Sequence, residues 1–139
     1  MPNMNSHFNF PVRVYYEDTD AGGVVYYANY LKFLERARTE FLRHLGFEQT
    51  DLIQQHQQII MVRNINVDYH KPALFNDMLT TLTTVKKMGK VSLQMEQHVL
   101  RENTLLCAAQ VKLAGVHATE LRPQQFPLIL LQALQDYVS

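Results

Sequence analysis

Residues 12–46, VRVYYEDTDAGGVVYYANYLKFLERARTEFLRHLG, decide the fold. Val12, Val14 and Tyr16 alternate with Arg13 and Tyr15, the two-residue period of a strand with one buried face. Glu17, Asp18 and Asp20 then stand beside Gly22 and Gly23, and paired glycines admit backbone conformations that a Cβ disfavours. From about Tyr27 the period becomes helical: Tyr30, Phe33, Leu34, Ala37, Phe41 and Leu45 share one stripe, and Gly46 is a stop signal. A helix of roughly 18 residues is about 27 Å long, enough to cross a small sheet. An acidic, glycine-paired loop therefore runs into the start of a buried helix, where a carboxylate and free backbone N–H groups can converge. The active site is expected at that junction.

Upstream, Phe8 and Phe10 keep the parity of Val12, so the first strand is expected to begin near Phe8, with Pro11 marking an edge. Downstream, Gln49–Gln57 predicts a short helix. Ile59–Tyr69 alternates as a strand, with Ile59, Met61, Ile65, Val67 and Tyr69 on one face and Arg63 as the break in the apolar set. His70-Lys71-Pro72-Ala73 ends it, because proline removes a ladder donor. Met78–Met88 is rich in Thr and Val, as strands are. A turn at Lys86-Lys87-Met88-Gly89-Lys90 joins it to Val91–Leu100, and a second turn at Arg101-Glu102-Asn103 leads to a last strand over Thr104–Val116. Leu128, Leu131, Leu134 and Val138 predict a weakly amphipathic C-terminal helix. A helix set against one antiparallel sheet is an α+β layout.

Composition narrows the classes. At 139 residues the chain is expected to be one domain, residues 1–139, with no room for a separate cofactor domain. The formal net charge is zero, so nothing points to nucleic acid. The single Cys107 excludes an intrachain disulfide and fits a reducing compartment. No run of about 18 apolar residues argues for a spanning helix, and MPNMNSHFNF lacks the basic flank and apolar core of a secretory signal. A cytoplasmic location is expected.

The run YYEDTDAGGVVYYANYLKFLERARTEFLR resembles the signature of the hotdog-fold acyl-CoA thioesterases, in particular the bacterial Tol-Pal-associated, YbgC-like subgroup. The 4-hydroxybenzoyl-CoA thioesterases are more distant relatives. The similarity continues at VDYHKPALFNDMLTTLTTV and, more weakly, at ELRPQQFP. The resemblance implies a five-stranded antiparallel sheet wrapped around one long helix, assembled as a homodimer or homotetramer through a sheet edge. It implies hydrolysis of an acyl-CoA to free acid and CoA, without cofactor or metal. On this pattern Asp20 is the catalytic carboxylate, nucleophile or base, and Tyr27 supplies a backbone N–H to the thioester carbonyl. YbgC-like sequences usually carry His where Tyr27 stands, in a run similar to VVYHASY; the tyrosine is similar to the 4-hydroxybenzoyl-CoA enzymes. A role for an imidazole at this position therefore does not carry over, whereas a backbone donor does.

Gly23, Lys86, Lys87 and Lys90 are the substrate-binding candidates, the lysines as partners of CoA phosphates or simply as a solvated hairpin. Asp18 and Glu17 are read as ordering the loop or facing water. The six histidines show no metal-ligand spacing, no Gly-x-Ser-x-Gly elbow is present, and Cys107 among Leu105, Leu106 and Ala108 reads as core. Glu35, Arg38, Glu40 and Arg43 are spaced for helix-surface pairs. Two other readings stand beside the thioesterase: a dehydratase acting on acyl-carrier-protein substrates, which wants a histidine near Tyr27, and a non-enzymatic scaffold for acyl-carrier protein or lipid-synthesis partners.

Overall fold

The computed structural model describes residues 7–139; the N-terminal reading above falls partly on residues 1–6, outside the described residues. Strand β1 (Phe8–Arg13) is followed by a single 3-10 turn (Tyr16–Asp18), the long helix α1 (Asn29–His44) and a short helix α2 (Gln49–His56). Four strands follow, β2 (Gln58–Tyr69), β3 (Met78–Met88), β4 (Ser92–Arg101) and β5 (Thr104–His117), and then helix α3 (Leu128–Leu134). The strands form one antiparallel sheet in the order β1-β3-β4-β5-β2, so β1 and β2 are its edges. This is the α+β hotdog arrangement expected.

Helix α1 buries Tyr30, Phe33, Leu34, Ala37 and Phe41 against Val12, Leu79, Val85, Met95, Val99 and Val111 of the sheet. Emptying such a site, as in Phe33→Ala or Phe41→Ala, costs about 3–5 kcal/mol. The helix stops at Gly46, whose φ of +94° is a left-handed conformation that suits glycine, with the Phe47 N–H donating to the Leu42 carbonyl at 2.8 Å.

Three expectations need correction. The first strand ends before Tyr16, which is 79% exposed; the chain turns there because the Asp18 carboxylate takes the Tyr15 N–H at 2.8 Å. In β2, Arg63 is not a mere break in pattern. The register against β5 shifts between Val62 and Asn64, so Arg63 is a bulge residue and the parity reverses across it. Ile60 packs on the core together with Ile65 and Val67, while Met61 is 40% exposed. In α3 the buried residues are Leu130 and Leu134, and Leu128 points to solvent. A buried polar group also went unread: Gln97 of β4 donates to the Leu34 carbonyl and to the Thr83 hydroxyl, both at 3.0 Å, and accepts from Arg38 at 2.9 Å.

Candidate active site

The loop between β1 and α1 is held by Asp18, which is buried. Its carboxylate accepts from the Tyr15 N–H, and its carbonyl accepts from the Tyr26 N–H at 3.0 Å and the Asn29 side-chain amide at 2.9 Å. One residue thus ties the strand exit to the helix entrance. Thr19 and Val25 then bridge, the Asp20 N–H donates to the Val24 carbonyl (2.9 Å) and the Gly23 N–H donates to the Asp20 carbonyl (3.0 Å). Gly23, with φ +79°, closes this turn in the conformation that glycine adopts without strain.

Asp20 projects from the turn into solvent. Its Oδ1 accepts from the Gly22 N–H at 2.8 Å, which fixes the side chain, and its second oxygen has no partner among the described residues. A carboxylate with one oxygen anchored and the other unspent is oriented and still able to attack a carbonyl or take a proton.

The helix begins at Asn29, two residues later than the start expected at Tyr27. Tyr26 and Tyr27 form a turn whose carbonyls accept from the Asn29 N–H (2.8 Å) and the Tyr30 N–H (3.3 Å). The Tyr27 N–H itself donates to no acceptor among the described residues. It lies in the same peptide unit as the Tyr26 carbonyl, so the bond from Asn29 polarises it further. Helix-entrance N–H groups carry partial positive charge and seek an acceptor. The Tyr27 carbonyl is also held from the sheet: the Tyr69 hydroxyl, at the end of β2, donates to it at 3.1 Å.

Tyr27 lines a recess of about 250 Å3 with Val25, Tyr30, Tyr69, His70, Lys71 and Pro72. Tyr30 is locked there by accepting the Ala73 N–H at 3.0 Å, and burial raises the pKa of both Tyr30 and Tyr69, so both phenols stay neutral. Tyr69, His70 and Lys71 were not among the sequence candidates. They lie some 40 residues from Tyr27; the signals were the strand end at Pro72 and their place in the second stretch of the resemblance, VDYHKPALF, neither of which assigned them a role.

The lysines stand elsewhere. The loop of Asp20 docks beside the start of β3, through the Val25 N–H on the Ala73 carbonyl and the Val24–Leu74 bridge. The lysine turn is at the other end of that 11-residue strand, about 30 Å away at 3.3 Å per residue. Lys86 occupies a bulge and donates to the Ser139 hydroxyl at 3.0 Å, while Lys87 and Lys90 are exposed. A hollow of about 550 Å3 beside them is lined by Met88, Gly89 and Lys90 against α3 and holds none of the loop residues. Within one chain, Asp20 and Gly23 share the turn that leads to Tyr27, neither of them lines the Tyr27 recess, and the lysines stand apart from all three. Cys107 is buried in the core and its thiol is pushed up to about 11 by that burial, which leaves it protonated and inert.

A five-stranded sheet, a helix laid across it, and a free N–H beside an acidic loop define a class. Residues 22–108 match the thioesterase superfamily, and the chain belongs to it. It is 44% identical to the acyl-CoA thioesterase YbgC of Haemophilus influenzae, over 89% of this chain and 91% of that one. It is 46% identical to the acyl-CoA thioester hydrolase YbgC of Escherichia coli O157:H7, over 86% and 90%. Among solved structures, a probable thioesterase from Bartonella henselae superposes with a TM-score of 0.84 at 35% identity, covering 87% of this chain and 99% of that one.

Proposed function

We infer that the protein hydrolyses acyl-CoA thioesters to a free acid and CoA, as the names of its relatives indicate. The observation that carries the reading is the pair of unspent groups at one junction, the outer oxygen of Asp20 and the N–H of Tyr27. The thioester carbonyl accepts from Tyr27, which stabilises the oxyanion of the tetrahedral intermediate; one such donor is worth about 10²–10³ in rate. Asp20 either attacks the carbonyl to give a mixed anhydride, expelling CoA thiolate, or takes a proton from an attacking water. No strong general acid is needed, because a thiol has a pKa near ~8.5. Gly23, exposed and without a side chain, lets substrate approach the loop backbone.

The finer assignments follow from the same reading. The protein acts as a homodimer or homotetramer in the cytoplasm, where acyl-CoA is made and spent. An acyl-carrier-protein thioester presents the same carbonyl and is the second carrier. Among the described residues no strand pairs with the outer edge of β2, which carries exposed Met61 and Val62, and this favours an assembly. Lys87 and Lys90 would meet CoA phosphates from a neighbouring subunit, given their distance from Tyr27. The link to the Tol-Pal envelope system rests on the subgroup resemblance. Neither the dehydratase nor the scaffold is favoured: the family is one of thioesterases, and Tyr27 replaces the histidine a dehydratase wants.

The test is free-thiol release from a panel of short, long and aromatic acyl-CoAs, with sedimentation at the assay concentration. Turnover of one panel member by an assembled protein is expected. Absence of turnover across the panel sinks the activity, and a folded, active monomer sinks the assembly.

A further inference from the structure

Helix α1 opens without a side-chain cap. Its N-cap residue is Ala28, which has no side chain able to accept a first-turn N–H, where Ser, Asp or Asn is the usual choice. The first residue inside the helix, Asn29, does carry an amide, and it turns that amide backwards. Its Nδ2 donates to the Asp18 carbonyl at 2.9 Å, 11 residues upstream. Asparagine is a poor helix former because its amide competes for nearby backbone groups; here it does so across a loop. In the run VVYHASY of the YbgC-like subgroup a serine stands at this position, and its hydroxyl ends one bond short of the asparagine nitrogen.

That bond closes a small frame. The Asp18 carbonyl accepts from the Tyr26 N–H at 3.0 Å as well as from Asn29, and the Tyr26 carbonyl accepts from the Asn29 N–H at 2.8 Å. Asn29 therefore grips both sides of the helix entrance, the loop through its side chain and the Tyr26–Tyr27 peptide through its backbone. The N–H of that peptide is the Tyr27 donor, which has no acceptor among the described residues. Asp20 follows Asp18 by two residues, and its carboxylate is oriented by the Gly22 N–H at 2.8 Å. Among the described residues, Asn29 is the one residue of α1 whose side chain hydrogen-bonds to this loop.

We propose that Asn29 is a positioning residue for thioester hydrolysis: its side-chain amide holds the Tyr27 N–H at a fixed span and direction from the Asp20 carboxylate. It touches neither substrate nor reacting atoms and acts through the Asp18 carbonyl. The proposal rests on the acyl-CoA thioesterase reading. An oxyanion donor works only where the transition-state oxygen will stand, and a misplacement of about 1 Å costs about 10²-fold. Without the amide, the Tyr26 N–H still bonds to Asp18, so the loop stays closed while the first turn of the helix is free to slide against it. The effect therefore belongs in kcat rather than in KM.

Two substitutions test it. Asn29→Ala deletes the donor. Asn29→Asp keeps the size and turn preference and sets a carboxylate, which only accepts, against the Asp18 carbonyl. In both, kcat on the best CoA ester should fall about ten- to a hundredfold, with KM within about twofold and circular dichroism unchanged. A second readout follows the donor itself. A CoA ketone in which methylene replaces the thioester sulfur, isotope-labelled at the carbonyl carbon, binds without turnover, and the Tyr27 N–H lowers its infrared stretch. That lowering should shrink in both variants. A residue that merely stabilised the fold would change the melting temperature and leave the stretch of the bound ketone alone. Near-normal kcat, a loss carried by KM, or a loss of kcat with the full lowering retained overturns the proposal. Should Asn29→Ala fail to fold, Asn29→Asp decides alone by the same readings. A wild-type protein that releases no thiol from any acyl-CoA refutes the thioesterase reading and takes the proposal with it.

Discussion

Two polar, glycine-containing turns sit at opposite ends of β3, and only one of them is built like a site. The lysine turn closes on itself: the Gly89 N–H donates to the Ser92 carbonyl at 2.8 Å, and Lys86 is tethered to Ser139. Lys87 and Lys90 are exposed, and the turn's backbone is spent. The Asp20 loop does the reverse. Asp18 is sacrificed to hold the backbone, and what remains free is one carboxylate oxygen and one polarised N–H. Charge density therefore says little about where chemistry happens; unspent hydrogen-bonding groups on a fixed frame say more.

Removing the free carboxylate attacks that contrast most directly. Asp20→Asn keeps the turn preference and size but not the charge, and kcat on the best CoA ester should fall by about 10²–10⁴ with circular dichroism unchanged. Near-normal kcat would show that the loop is only a turn.

The next largest effect falls on the frame. Asp18→Ala removes the charged acceptor of the Tyr15 N–H from a part-buried hydrogen bond, and unfolding free energy should drop by about 1–3 kcal/mol in urea titration. Asp18→Asn retains an acceptor oxygen and should cost much less in both stability and kcat. Equal damage from both variants would mean that the charge, not the hydrogen bond, is what the loop uses.

Changing Lys86, Lys87 and Lys90 together to Ala should raise KM for CoA esters by about three- to tenfold at low salt, with kcat nearly constant and the difference fading at high salt. An unchanged KM at low ionic strength makes the turn a solvated hairpin. The smallest effects concern the tyrosines. Tyr69→Phe frees the Tyr27 carbonyl from the sheet and should lower kcat a few-fold at constant KM. Tyr27→Phe should change kcat by less than about twofold, because the working group is backbone. A large loss in Tyr27→Phe would move the role to the phenol.

Much of the fold was legible because each element keeps one period. The α1 stripe from Tyr30 to Phe41 and the alternation of Leu93, Met95 and Val99 needed no tertiary information. The misreadings came from bonds between distant residues. The Asp18 carbonyl captures Tyr26 and Asn29, which delays the helix, and β5 imposes a bulge on β2 that no local pattern announces. The candidate site divides the same way. Asp20, Gly23 and Tyr27 lie within eight consecutive residues and carry a motif. Tyr69, His70 and Lys71 reach the recess through the end of a strand, and although they fall in the second stretch of the resemblance, no local pattern links them to the loop of Asp20.

The bulge at Arg63 makes β2 two half-strands in opposite phase. Before it, even-numbered residues face the core, among them Gln58, whose amide donates to the Gln125 carbonyl at 3.0 Å; after it, odd-numbered ones do. One inserted residue therefore lets the first half serve the helix flank and the last half end on Tyr69, each in its own phase. Deleting Arg63 would merge the two into one uninterrupted alternation. Either Gln58 and Ile60 would rotate out to water, or Tyr69 would swing away from the Tyr27 carbonyl. A residue that touches neither candidate group thus sets whether the second half of the molecule arrives at the helix entrance facing the right way.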